Sequence, residues 1–194
     1  MSKESDLYRA SLFLLSDRPA KSVDGLFFLS RAKEDDTDDL FNLTAGLYRS
    51  GIVKTVAING SNGESMDRIP GSGWAGKDVW EERLRGLGIV DIEFTEPAFN
   101  TREENIVFLD VAEKNNWKSA VVVSHPHQIL RIMLGFVSEI NKRKFLISLH
   151  PACPTETDWN LNVYGSQQKE LKPRLEHIQD EIDRILKYQE SGDL

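Results

Sequence analysis

Apolar residues fall along this chain in two rhythms. Short runs at residues 23–29, 54–58, 92–94, 119–123 and 145–149 have the length and composition of strands, the longer ones buried on both faces. Between them, residues 37–50, 77–86, 101–116 and 125–140 space their apolar positions three and four apart, which predicts amphipathic helices. Two further helices are expected at 4–15, with Leu7, Tyr8, Leu12 and Leu15 on one face, and at 171–188. Gly51 should stop the helix over 37–50, and Gly86 or Gly88 the next one. Strand and helix alternate almost throughout, the pattern of an α/β fold with a largely parallel sheet flanked by helices. Residues 61–76 and 150–169 are left as long loops that contain Trp74 and Trp159. Loops of that length often serve as lids or binding loops.

One junction stands out. The run Ala120-Val121-Val122-Val123 leads directly into Ser124-His125-Pro126-His127, after which Ile129, Leu130, Ile132, Met133 and Phe136 recur at helical spacing. A proline in that place reads as the first turn of a helix. A hydroxyl and two imidazoles therefore sit where a strand's carboxyl end meets a helix's amino end, the edge at which open α/β sheets bind ligands. Ser124 is expected as the N-cap, leaving backbone N–H groups of the first turn to face an anion. Arg131 lies four residues beyond His127, on the same helical face. A cation, an imidazole and a helix amino terminus suit phosphate or carboxylate.

Composition narrows the class. With 194 residues the chain is sized for one well-buried domain. A net charge of −7 argues against nucleic acid or an anionic membrane as the main partner. No apolar run is long enough to cross a bilayer, and the polar start Met1-Ser2-Lys3-Glu4 is unlike a signal peptide, so no membrane insertion is expected and the cytoplasm is the default compartment. The single cysteine, Cys153, leaves no internal disulfide and no cysteine-rich zinc site.

Other polar stretches add candidates. In Asn100-Thr101-Arg102-Glu103-Glu104-Asn105, Thr101 and Glu104 have capping-box spacing, which would account for both. Equally, a Glu104 carboxylate at the ligand edge would accept a proton or hold an amine or hydroxyl. Asn59-Gly60-Ser61 follows the second strand, where glycine permits close approach to the backbone. No dinucleotide fingerprint or P-loop is present. The acidic run Glu34, Asp35, Asp36, Asp38 and Asp39 suits the dipole of the following helix, and no metal site is expected there. His150 is a weaker candidate at the end of the last strand, and His177 reads as an ordinary helix-face histidine.

Taken in order, the Asn59-Gly60 turn, the Asn100–Asn105 segment, and the Val121-Val122-Val123-Ser124 strand end with His127 and Arg131 resemble the domain of unknown function 218 family, the YdcF-, SanA- and ElyC-like proteins. The similarity covers about residues 22–150. It implies a Rossmann-like sheet with a ligand cleft at the strand carboxyl ends, and in one branch of the family S-adenosylmethionine binding. The expectation is a protein that binds a small anionic or nucleotide-like molecule, with Asn59, Gly60, Ser61, Asn100, Thr101, Ser124, His125 and Arg131 as ligand contacts. His127 and Glu104 are the acid–base candidates for a group transfer or hydrolysis. Two alternatives stay open: a ligand sensor without catalysis, and a phosphate-ester hydrolase using His125 or His127 as nucleophile.

Overall fold

The computed structural model of the chain describes residues 21–29, 38–62, 75–164 and 171–192. The expected helix at 4–15, Glu34 to Asp36, and most of the 61–76 loop lie outside them. Five parallel strands form the main sheet in the order β3-β2-β1-β4-β5. They are β1 (Val23–Phe28), β2 (Val53–Ile58), β3 (Ile92–Phe94), β4 (Ser119–Val123) and β5 (Ser148–Ala152). The connecting helices are α1 (Asp38–Arg49), α2 (Lys77–Gly86), α3 (Thr101–Lys114) and α4 (Pro126–Arg143). A small antiparallel pair, β6 (Asn162–Tyr164) and β7 (Leu171–Pro173), precedes α5 (His177–Ser191). This is a Rossmann-like α/β fold.

Each face of the sheet has its own core. On β1, Leu26 and Phe28 point towards α1 and α2 and join Leu40, Phe41, Trp80 and Leu84. Phe27 and Leu29 point the other way, into the core built with α3, α4 and α5. There Phe27 stacks on Phe108, Trp117 and Phe136 at centroid distances of 5.1, 5.6 and 5.5 Å. The Trp117 ring lies over β1 at Gly25, where a Cβ would stand 2.2 Å from it, so only glycine lets the indole close the core.

Several boundaries move from those the pattern predicts. The last sheet strand is Ser148–Ala152 and not 145–149, so His150 lies inside β5, paired with Val121. Pro151 is tolerated because β5 is an edge strand. Ser148 N–H and the Ala152 carbonyl face β4, so by alternation the position of Pro151 faces outward, where no ladder bond is lost. The final helix begins at His177, not 171: Pro173 ends β7, and a 3-10 turn at Arg174–Glu176 intervenes. Part of the expected 150–169 loop is therefore strand. Among the described residues no helix is long and apolar enough to cross a membrane.

Candidate functional site

Strand order reverses between β1 and β4: the chain winds from β1 to β2 and β3 on one side, then crosses to β4 and β5 on the other. In open parallel sheets the carboxyl end of such a reversal opens a crevice. The register defines its rim. Phe94, Ile58, Phe28, Val123 and Ala152 stand in line across the sheet. The residues that follow them, Thr95, Asn59, Leu29, Ser124 and Cys153, make the next row.

Asn59 is the hub of the β2 side. Its Nδ2 donates to the Ala98 carbonyl at 2.8 Å and to Glu104 Oε1 at 3.2 Å. Its Oδ1 accepts from Ser61 N–H at 2.9 Å and Ala98 N–H at 3.2 Å. Both hydrogens and both lone pairs of the amide are thereby used. Asn59 has no capacity left for a ligand, and its task is to hold Glu104 and the two loops together. Gly60 lets those loops approach: a Cβ there would stand 2.1 Å from the Thr95 carbonyl oxygen. Ser61 is buried, and its carbonyl accepts from Lys77 N–H at 2.9 Å.

The capping box of α3 is one residue out of the expected register. Asn100 is the N-cap, its side chain accepting from Glu103 N–H at 3.0 Å, and Glu103 reaches back to Phe99 N–H at 2.8 Å. Thr101 is the first helical residue, and Glu104 is released from capping. Its side chain turns inward, 9% exposed, to the Asn59 amide. Beside it, Asn105 donates to the Ile132 carbonyl of α4 at 3.2 Å, while its Oδ1 is buried without a partner.

On the β4 side Ser124, His125 and His127 are fully buried. Ser124 is not the N-cap. That position falls to His125, in extended conformation (φ −66°, ψ 144°), because Pro126 at N1 holds the preceding residue in the β region. His125 makes no side-chain cap hydrogen bond, and the first turn of α4 contains no acidic residue. Helices α1, α2, α3 and α5 each have one or two acids there. The Ser124 hydroxyl, directly before this helix, is buried with no hydrogen-bond partner.

The two imidazoles belong to a larger set. His125 and His127 stack at 5.8 Å, and His127 and His177 at 6.0 Å. Gln128 Nε2 lies 2.8 Å from His127 Nε2; the amide nitrogen only donates, so this ring nitrogen accepts. His177 is no surface histidine. It is buried at the start of α5, donating from Nε2 to the Val163 carbonyl at 2.8 Å, with Nδ1 3.1 Å from Asp180 Oδ2. Sequence reasoning missed it, although its position just after a proline-ended strand placed it near a helix start.

Arg131 is brought to the same region but turned away from the rim. Its Nε donates to Glu181 Oε2 at 2.5 Å, and Glu181 Oε1 also accepts from Arg184 at 2.7 Å. Both Arg131 and Glu181 are buried, so the guanidinium neutralises α5 and is committed. The anion contact expected of it passes to the helix amino terminus. Burial pushes the Cys153 thiol up to about 12, which leaves it inert. Among the described residues no three His, Cys, Asp or Glu side chains converge as a metal ion requires.

These features define a parallel α/β protein with a polar rim at its strand-order reversal. Neither the family models nor the curated proteins compared with this sequence include a match.

Proposed function

We propose that this chain binds a small anionic or nucleotide-like molecule in the crevice between the carboxyl ends of β1 and β4. One observation carries the reading: a fully buried, unpartnered Ser124 hydroxyl stands directly before a helix whose amino terminus has neither a side-chain cap nor an acid. A buried polar atom without a partner is costly, and an anion placed there would accept from it and from the dipole end of α4. The resemblance to the domain of unknown function 218 family supports the same place and adds S-adenosylmethionine to the ligands to try. If chemistry follows binding, His127 and Glu104 are the acid–base groups, acting on a group transfer or hydrolysis.

A thermal-shift screen of the full chain against nucleotides, S-adenosylmethionine, sugar phosphates and inorganic phosphate tests this. A ligand at a hundredfold excess over its Kd adds about 2.7 kcal/mol and raises Tm. The expected result is such a rise, lost in Ser124→Ala. If none of these compounds stabilises the protein, the reading fails.

A second reading, a sensor without turnover, draws on the stack that joins His127 to His177 of α5, which would carry ligand contact straight to the C-terminal helix. Turnover assays on whichever ligand binds separate the two.

A further inference from the structure

Resting on the binding proposed above, the geometry points to the ligand's class: we infer a nucleoside that carries an anionic group, with its ribose hydroxyls on Glu104 and its anion on Ser124 and the start of α4. The argument begins with the register. Ile58, Phe28 and Val123 are aligned, so Asn59 and Ser124 stand at the same height on β2 and β4, with Leu29 between them. Two strand spacings separate the tips of β2 and β4, roughly 10 Å. A hydrogen bond of about 2.8 Å at either end leaves the length of a pentose between. Leu29, apolar and buried, lies midway beneath that span.

The two ends differ in chemistry. At the β4 end the buried Ser124 hydroxyl has no partner, and the helix that follows lacks both cap and acid, which suits negative charge. At the β2 end negative charge is already present. In parallel sheets that bind dinucleotides, an acidic residue near this place takes the ribose hydroxyls. Here the tip of β2 holds Asn59, whose amide is fully used and which has no charge. The carboxylate comes instead from the first turn of α3. Glu104 is released from capping because Asn100 and Glu103 perform it, and Asn59 Nδ2 steers Oε1 to the tip of β2 at 3.2 Å. A carboxylate has about four acceptor positions, of which Asn59 takes one. Ionised, it only accepts, so it prefers a ligand with adjacent hydroxyl donors and disfavours a second anion. Asn59 is in this account a positioning residue and Glu104 the contact.

Isothermal titration calorimetry on the full chain with adenosine monophosphate, 2′,3′-dideoxyadenosine monophosphate and inorganic phosphate tests the inference. Wild type should bind adenosine monophosphate at least tenfold more tightly than the dideoxy compound. Glu104→Gln keeps an acceptor for Asn59, so it should fold, as circular dichroism would show, and should erase that difference by weakening only the hydroxyl-bearing ligand. Ser124→Ala should weaken both nucleotides alike. Equal wild-type affinities, or a preference that survives Glu104→Gln, would overturn the inference and leave the binding proposal standing. So would binding of phosphate with neither nucleotide bound. If nothing binds, including the other compounds of the screen, the proposal and the inference fall together.

Discussion

Asp24 and Ser124 lie at opposite ends of adjoining strands, and the polar groups around them are treated differently. At the amino edge, Asp24 accepts from Lys118 N–H at 2.7 Å and Ser119 N–H at 3.0 Å, and the Lys118 bond above all holds its carboxyl below the usual range. Nearby, Arg143 is shared among Glu139 at 2.9 Å, Asp110 at 2.6 Å and the Ile106 carbonyl at 3.2 Å. Every one of these groups is answered by its neighbours. At the carboxyl edge the Ser124 hydroxyl and the Asn105 carbonyl oxygen are buried and unanswered. The same backbone architecture builds both ends, so the contrast reflects side-chain choice: the closed end holds strands in register, and the open end is arranged for something from outside.

The sharpest way to break this contrast is Arg131→Met. Arg131 stands near the open end but is assigned to the closed kind, and stranding the buried Glu181 should cost about 3–5 kcal/mol in denaturant unfolding. A small loss of stability with a large loss of anion affinity would reverse that assignment. Next comes Gly25→Ala, which drives a methyl into Trp117 and should cost about 1–3 kcal/mol by the same measurement. Asp24→Asn should cost less, well under about 1 kcal/mol at neutral pH, because the group is largely exposed. Its signature is in the pH profile. With its native value depressed, Asp24 contributes in full above the ordinary carboxylate value and loses that contribution as pH falls through the lower native one. Acid titrations of wild type and Asp24→Asn should therefore converge at low pH. The smallest effect is expected of Ser124→Ala. Removing an unsatisfied hydroxyl should leave stability within about 0.5 kcal/mol or raise it, while ligand affinity falls. A marked loss of stability would mean that the hydroxyl is not open.

Much of the fold was legible because its signals are local. The valine run of β4 and the proline after it locate the strand–helix junction, and β3 and α2 have the expected bounds. Where two local readings competed, the chain chose the one with tertiary support. Asn100 took the cap from Thr101 and so freed Glu104 to meet Asn59, forty-five residues earlier. Pro126 moved the α4 cap from Ser124 to His125. Long-range partners left no trace in spacing. Nothing near Arg131 announces Glu181, fifty residues on, and nothing near His127 announces His177. Of the candidate residues, sequence reasoning located Asn59, Glu104, Ser124, His125 and His127 at the sheet's carboxyl edge, but the saturation of Asn59 needed coordinates.

Pro151 has one more consequence. A sheet grows by offering hydrogens to a newcomer along its rim, and β5 is the rim strand on one side of this one. By alternation its outward donors would be Leu149 and the residue at 151, and proline has no hydrogen to offer. The opposite rim, β3, is three residues long. A second copy of the molecule meeting either rim finds little to grip, so crowding in a concentrated solution is not expected to string these sheets into fibres through either strand.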